Sequence, residues 1–199
     1  MKEMASKMIN RIYIYIYTIY GRLRKCLFDW RMDRFLRSVG VDCYSTFRIP
    51  ATTKIYAASK LVIGKGLTAG DNCVIDANDS FGIYIGDNLL IAPDVFIRAG
   101  NHDYSYFEDA FQKHGHCARK LRYKGETFSI VIEDNVWVGH GATIISGAHI
   151  GKGSVIGAGA VVKDFIPEYS IVMGNPAKVV SNRKKIKNFD DRDDIGMFD

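Results

Sequence analysis

Aliphatic residues recur at every sixth position through much of the chain. The longest series runs through Ile132, Val138, Ile144, Ile150, Ile156 and Val162, and shorter ones through Ile85, Ile91, Ile97 and through Ile63, Ala69, Ile75. A period of six is neither the 3.6 of an α-helix nor the 2 of a flat strand. The pattern predicts a solenoid of three-sided coils, about eighteen residues each, whose interior is filled by ladders of Ile and Val.

The residues between these positions suit tight bends. Gly86-Asp87-Asn88 and Glu133-Asp134-Asn135 tolerate positive φ or bond their own backbone. Phase slips at 56–62 and 76–84 predict short insertions at corners. The repeat stops at Asn101 and resumes near Ile130, and the polar, aromatic segment 102–129 between them is predicted to be a functional protruding loop.

Composition divides the chain unevenly. The 199 residues are 47% hydrophobic and 25% charged, as in ordinary globular proteins, and no apolar run reaches membrane-spanning length. Residues 1–40 hold nine Lys or Arg against three acidic residues, a net +6, whereas the whole chain is +5. We predict an N-terminal extension over 1–40, a repeat domain over 41–180 and a charged tail over 181–199.

The extension includes the apolar stretch "IYIYIYTIY" at 12–20. Two interpretations remain open: a mostly helical cap over the open end of the solenoid, or a segment that contacts a membrane interface through Tyr, Arg and Lys. No basic stretch elsewhere indicates nucleic acid. Four scattered cysteines without a secretory leader favour free thiols and a cytoplasmic location, with peripheral contact at the inner face of the membrane as the second interpretation.

Three stretches resemble the hexapeptide-repeat acyltransferases, in particular the galactoside, maltose and surface-polysaccharide O-acetyltransferases. They are "IGDNLLIAPDVFIRAGNHDYS" (85–105), "IEDNVWVGHGATIISGAHIGKGSVIGAGAVVKDFIPEYSIVMGNPAKVV" (132–180), and the interruption between them. The resemblance covers roughly 60–180 and implies an all-β, left-handed parallel β-helix. It also implies a homotrimer with active sites between subunits, and a loop that reaches the neighbouring subunit.

By the same resemblance, His102 in "IAPDVFIRAGNHDY" matches the catalytic histidine. Transfer of an acetyl group to a sugar hydroxyl needs a base, and neutral imidazole suits that task. Acetyl-CoA would be the donor, bound in a groove with low Gly and Ala walls, and no metal is expected. The cofactor residues implied are His140, Ala142, Ala158, Lys163, Lys178 and Arg183, the last three for the anionic nucleotide end.

Candidate acceptor residues are polar side chains of the early coils and of the loop. They are Asn72, Asp76, Asp79, Asp94 and Tyr104. The acceptor expected is a sugar hydroxyl, free or in a lipid-linked saccharide, in surface-polysaccharide or O-antigen synthesis. Asn and Asp in a β-helix also form turns, which is the competing explanation for four of the five.

Other functions remain open at this point. The acceptor could instead be an amino sugar, serine or an antibiotic. A γ-carbonic-anhydrase-like hydratase shares the β-helix but needs three histidines on zinc, and "HGHC" at 114–117 offers only a short patch. A non-catalytic scaffold would bind no CoA. A cysteine nucleophile is disfavoured because the family transfers acetyl directly, and His149 is expected at the surface.

Overall fold

The six-residue series forms short strands that stack in three sheets. The computed structural model describes residues 48–50, 52–78, 81–102 and 116–185, together with positions 15, 16, 19, 20 and 23, which are helical. Sheet 1 contains β1 (Lys54–Tyr56), β4 (Val74–Asp76), β7 (Phe96–Arg98), β14 (Thr143–Ile145) and β17 (Val161–Val162). Sheet 2 contains β2 (Leu61–Ile63), β5 (Ile83–Ile85), β12 (Ile130–Ile132), β15 (His149–Ile150) and β18 (Phe165–Ile166). Sheet 3 contains β3 (Thr68–Ala69), β6 (Leu90–Ile91), β13 (Trp137–Val138), β16 (Val155–Ile156), β19 (Ser170–Met173) and β20 (Lys178–Asn182).

The chain visits the sheets in a fixed cycle, from sheet 1 to sheet 2 to sheet 3 and back. Neighbouring strands within these sheets are parallel, except that β20 turns back antiparallel to β19. This is the predicted left-handed parallel β-helix, a prism with three flat faces. We name its edges corner 1/2, corner 2/3 and corner 3/1 after the sheets they join.

The repeat positions line the inside of the prism. Ile97, Ile144 and Val162 stack in sheet 1, and corresponding ladders fill the other two sheets. Every member of the predicted 132–162 series is at most 1% exposed. Because each fully buried aliphatic side chain contributes about 1.5–3 kcal/mol, these ladders are the main stabilising interaction of the fold.

Both predicted insertions are present. A 3-10 turn, Ala58–Lys60, separates β1 from β2, and a longer connection over 77–82 separates β4 from β5. At the C-terminal end, β20 continues to Asn182, two residues beyond the predicted boundary at 180, and a 3-10 turn follows at Arg183–Lys185. The predicted N-terminal cap falls almost wholly outside the described residues. The helical positions that are described include no segment with the length and hydropathy of a membrane span.

The second half of the interruption packs on its own prism, which corrects part of the loop prediction. Strand β8 (Asn101–His102) pairs antiparallel with β9 (His116–Cys117), and β10 (Leu121–Tyr123) forms a hairpin with β11 (Glu126–Phe128). The Tyr84 ring lies 4.9 Å from Tyr123 and 5.5 Å from Phe128. The hairpin therefore covers the outer face of sheet 2, where Val131 is completely buried.

The ladders predict a clear difference between two aliphatic substitutions. Ile144→Ala removes a fully buried side chain from the centre of a ladder and should lower the free energy of unfolding by about 2–5 kcal/mol. Val62→Ala, at an exposed position of sheet 2, should change it by less than about 1 kcal/mol. Denaturant titration followed by circular dichroism measures both, and equal losses would contradict the assignment of the core.

Candidate active site

Four of the residues singled out from the sequence lie on one edge of the prism. Asn72, Asp94, His140 and Ala158 all belong to corner 3/1, in four successive coils. Backbone bonds hold the corner together: the Asp94 N–H donates to the Asp71 carbonyl at 2.9 Å, and the Gly159 N–H to the His140 carbonyl at 2.9 Å. Asn72 and Asp94 have φ near +57° and +59°, so both also form the turn itself.

The part of this corner formed by Gly141, Ala158 and Gly159 carries small side chains and is open to solvent. We call this part of corner 3/1 the track. Ala158 is exposed, and a Cβ added to Gly141 or Gly159 would meet no atom within 4 Å. The backbone N–H groups of His140 and Ala158 have no hydrogen-bond partner among the residues that the structure describes. An extended ligand can therefore lie along these coils and bind backbone donors directly.

The track ends at two ionisable side chains, those of His140 and Asp94. His140 Nδ1 lies 3.7 Å from Asp94 Oδ2, and both side chains are exposed. This distance is too long for a hydrogen bond, and the contact would be an ion pair only with a protonated imidazole. His140 and Asp94 thus connect the predicted cofactor groove to the predicted acceptor residues on the same edge.

His102 lies on a different edge. Its backbone follows β7 at corner 1/2, where β8 leaves the prism and pairs with β9, placing His102 opposite His116. Arg119 anchors the returning chain there: its N–H donates to Ser146 Oγ at 2.9 Å, and its guanidinium lies 3.3 Å from Asp164 Oδ1. The register with His116 could not be read from the repeat pattern.

Among the acceptor candidates that the structure describes, Asp76 lies nearest to corner 1/2. It ends β4, directly below Arg98 of β7, and its carboxylate lies 3.7 Å from Arg98 Nε. The same carboxylate accepts the Asn78 N–H at 3.0 Å. Asp76 is therefore already paired within the chain, and the structure does not group it with Asn72 and Asp94.

The two edges cannot meet within one chain. Corner 3/1 and corner 1/2 bound opposite sides of sheet 1, so a full prism face separates His102 from His140. The predicted base and the open part of corner 3/1 therefore lie on separate edges of the prism.

The predicted nucleotide contacts lie together near the C-terminal end of the prism. Lys163 and Lys178 line a cavity of about 220 Å³, whose other lining residues include Phe165 and Pro176. Segment 174–177 crosses the end of β17, since the Ala177 N–H donates to the Val161 carbonyl at 2.9 Å. Both ammonium groups belong to exposed side chains and are available to an anion.

Two cofactor predictions need correction. Ala142 is wholly buried, its N–H donates to the Gly139 carbonyl, and its own carbonyl accepts from Phe96, so it has nothing to offer a ligand. Arg183 lies away from Lys163 and Lys178, because its guanidinium donates to the Gly153 carbonyl at corner 2/3 at 2.6 Å. The repeat spacing alone did not show that position 142 faces the interior rather than the corner. Arg183 follows the antiparallel strand β20, and this reversal of the chain after β19 places it at corner 2/3 instead of beside the two lysines.

Burial argues against Cys73 as a nucleophile. It is fully buried, its thiol donates to the Ala92 carbonyl at 3.1 Å, and burial raises its pKa above the ordinary range. A protonated thiol is a poor nucleophile. Within the described ranges, no group of three or more His, Cys, Asp and Glu could hold a metal ion.

His149 points outward, as expected, but it is only partly exposed. It lies 2.7 Å from Glu133 Oε1 and makes edge contacts with Tyr123 and Phe165. Asp79, Tyr104 and His114 lie outside the described residues.

The hairpin is the main feature that the sequence analysis missed. Lys124 and Gly125 both have positive φ, near +49° and +86°, as a two-residue hairpin turn requires. The segment "LRYKGETF" carries that signal, a Gly-containing turn between alternating residues. Lys124 Nζ also holds the hairpin against sheet 2, because it donates a hydrogen bond to the Tyr84 hydroxyl at 2.7 Å. This hydrogen bond raises the pKa of Lys124 above its ordinary value.

Comparison with known proteins gives consistent matches. The family model described as bacterial transferase hexapeptide (six repeats) matches residues 129–164. A Saccharomyces cerevisiae protein assigned as an acetyltransferase is 35% identical over 75% of this chain and 70% of its own length. The galactoside O-acetyltransferase of Escherichia coli K12 is 35% identical over 68% of this chain, which spans 57% of that protein.

Solved structures match over a similar range. A hexapeptide-repeat-containing acetyltransferase of Vibrio cholerae O1, complexed with acetyl coenzyme A, is 27% identical with a TM-score of 0.55. The match covers 68% of this chain and 67% of that one.

The anchoring of the loop predicts a difference between two glycine substitutions. Gly147 has φ near +98°, and an added Cβ would lie 2.6 Å from Arg119 Cδ and 2.9 Å from the Lys163 carbonyl oxygen. Gly125 has φ near +86° with open space around it. Both Ala variants should suffer the left-handed strain of about 1–2 kcal/mol, but Gly147→Ala should lose about 1–3 kcal/mol more from the collision. Denaturant titration measures the two losses. Equal losses would mean that Arg119 and the Lys163 carbonyl do not crowd Gly147 as the structure shows.

Proposed function

Because this chain belongs to the hexapeptide-repeat acetyltransferase family, we propose that it moves an acetyl group from acetyl-CoA to the hydroxyl of a sugar. The observation that supports this most is the open track on corner 3/1, which offers free backbone donors at His140 and Ala158. The E. coli relative, by its name, acts on galactosides. We propose the same class of acceptor, a sugar hydroxyl, for this chain.

The proposed binding mode follows from the shape of the corner. The pantetheine arm of acetyl-CoA is long, thin and rich in amides, so it suits a track walled by Gly141, Ala158 and Gly159. The cavity beside Lys163 and Lys178 lies near the C-terminal end of the prism and suits the anionic nucleotide end. Ammonium groups stabilise phosphates there by charge-assisted hydrogen bonds.

In the proposed reaction, the hydroxyl oxygen of the acceptor attacks the thioester carbon as its proton passes to the imidazole of His102. The C–S bond then breaks, the acetyl group remains on the acceptor oxygen, and the proton returns from His102 to the CoA sulfur. The acetyl group passes directly from sulfur to oxygen, so no acyl-enzyme intermediate forms. A backbone N–H on the track would stabilise the oxyanion, a contribution typically worth about 10²–10³ in rate.

We further propose that the working enzyme is a homotrimer with each site between two subunits. The support is the separation of the two half-sites: His102 of one copy would meet His140 and Ala158 of the next across the gap between prisms. Asn72 and Asp94 lie on the same corner as His140 and would contact the acceptor. Cyclic symmetry would generate the same site at every interface.

The finer acceptor that we propose is a sugar of a surface polysaccharide. It is supported by the sugar acceptor in the name of the E. coli relative and by the concentration of positive charge in residues 1–40. Acetyl transfer to galactosides, amino sugars, serine and lipid-linked oligosaccharides, compared side by side, would separate this acceptor from the alternatives.

Replacing the proposed base should abolish transfer. His102→Ala should lower kcat for sugar-dependent release of CoA by about 10²–10⁴, the usual contribution of a general base, while KM for acetyl-CoA changes little. Thiol release from acetyl-CoA is followed with a panel of sugars. His149→Gln is the control, because the amide can still bond Glu133 and the site lies on sheet 2. Activity that survives in His102→Ala would rule out this residue as the base.

Filling the track should weaken donor binding. Ala158→Trp places a large ring where the arm is proposed to lie, and should raise KM for acetyl-CoA by about tenfold or more because the arm loses its contacts and its space. Lys152→Trp adds the same ring at an exposed position of corner 2/3 and should leave KM unchanged. Equal KM values in both variants would place the donor elsewhere.

A further inference from the structure

The hairpin on sheet 2 concentrates positive charge on its outer side. Residues 41–199 sum to −1, the difference between +5 for the whole chain and +6 for residues 1–40, yet four of the six residues in 119–124 are basic and none is acidic. In and beside β10, alternate side chains are half-buried against the prism, and those between them are exposed. We call the three exposed cations of this alternation the basic strip: Lys120, Arg122 and Lys124.

Aromatic side chains of the prism hold two of these cations in place. Lys120 Nζ lies 5.3 Å from the centre of the Phe81 ring, and Lys124 Nζ lies 5.0 Å from that of Tyr84, to whose hydroxyl it also donates. Phe81 precedes β5 at corner 1/2 and Tyr84 is the middle residue of β5, so the strip runs from corner 1/2 across the outer face of sheet 2. Cations that are fixed before a ligand binds lose less conformational entropy on binding.

No carboxylate neutralises the basic strip within the part of the chain that the structure describes. The neighbouring Arg119 is paired with Asp164 at 3.3 Å, but none of the three strip cations forms an ion pair with a described residue. Sheet 3 offers a contrast, because its outward positions in register are uncharged: Thr68, Leu90, Trp137 and Val155. The hairpin therefore gives sheet 2 an anion-binding surface that sheet 3 lacks.

The basic strip begins close to the proposed base. The backbone register of β8 and β9 places His102 opposite His116. Lys120 follows His116 by four residues, which span at most about 14 Å. An acceptor of a few sugar units that places a hydroxyl at His102 is therefore long enough to contact the strip.

We propose that the acceptor is an anionic saccharide, whose carboxylate or phosphate groups bind the basic strip while one hydroxyl lies at His102. This inference rests on the proposed function, because it names the acceptor class of the same site. Arginine binds carboxylates and phosphates through two parallel hydrogen bonds and lysine binds them as a point charge, so both kinds of anion fit the strip. The half-buried rings of Phe81 and Tyr123 offer apolar surface to the sugar rings between the charges.

The first test compares anionic acceptors with a matched neutral one. A trisaccharide of galacturonic acid and a galactose phosphate supply the two kinds of anion, and a trisaccharide of galactose supplies none. For at least one anionic acceptor, the wild type should show a KM about fivefold or more below that for the neutral one. The difference should shrink between about 0.1 M and about 1 M salt, where the Debye length falls from about 10 Å to about 3 Å. Equal KM values for all three acceptors would overturn the inference and leave the transferase proposal intact.

Two double variants with the same change of charge separate the strip from general electrostatics. Lys120→Gln with Arg122→Gln should raise KM for the anionic acceptor by about five- to tenfold, because two ionic contacts are lost, while kcat and KM for the neutral acceptor change little. Lys65→Gln with Lys152→Gln removes two exposed cations at corner 2/3 and should leave every KM unchanged. Equal effects of the two variants would contradict the proposal. A rise in KM for acetyl-CoA alone would also contradict it, and would assign the strip to the donor.

Equilibrium binding separates this inference from the transferase proposal. The galacturonic acid trisaccharide, carrying a fluorescent label, is titrated with the full-length protein in the absence of acetyl-CoA and followed by fluorescence anisotropy. Salt-sensitive binding that Lys120→Gln with Arg122→Gln loses would support the anionic site even if no acceptor were acetylated, an outcome that would remove the transferase proposal alone. Binding that this variant retains would place the anion elsewhere on the protein.

Discussion

The closure of a three-sided coil is the constraint on which the rest of this structure depends. Each side must turn inward one aliphatic residue that stacks on the coil above and below, and each corner must be made by residues that fit a tight bend. The ladders through Ile144, Ile132 and Val138 satisfy the first condition. The small residues at Gly141, Ala158 and Gly159 satisfy the second, and in doing so they leave one edge of the prism low.

The chemistry follows from that edge. The small residues Gly141, Ala158 and Gly159 leave the backbone N–H groups of His140 and Ala158 accessible, which would suit the long flexible donor proposed here. The interruption after Asn101 occupies a different edge, where Arg119 and the hairpin Leu121–Phe128 tie it to the prism. In the proposed function, a base carried there and a donor track carried on corner 3/1 cooperate across an interface between two copies, so the solenoid geometry would link activity to assembly.

The three-sided coil could be predicted from the sequence, because the six-residue period is imposed by the same stacking that stabilises it, whereas the left-handed sense of the coil was implied by the family resemblance alone. The site could be predicted only in part. His140 and Ala158 are exposed on one corner, as the motif indicated, but Ala142 points inside, since one position along a bend separates corner from interior. Arg183 could not be placed because it follows a reversal of the chain at β19 and β20, which is outside the repeat. The Gly-containing turn at Lys124-Gly125 does indicate a hairpin, but the sequence analysis treated the whole segment as a polar loop.

The central claim is that one active site is shared between two copies of the chain, and mixing two impaired variants tests it most directly. His102→Ala and Ala158→Trp subunits are denatured together in equal amounts, refolded, and assayed for sugar-dependent release of CoA at acetyl-CoA concentrations well below the wild-type KM, where Ala158→Trp alone should keep about a tenth of the wild-type activity or less. If each site takes its base from one copy and its donor track from the next, random trimers should regain about one quarter of the wild-type activity, because both halves are intact at about one interface in four. No recovery from a mixture that refolds and exchanges subunits would show that base and track belong to the same chain, and would contradict the account.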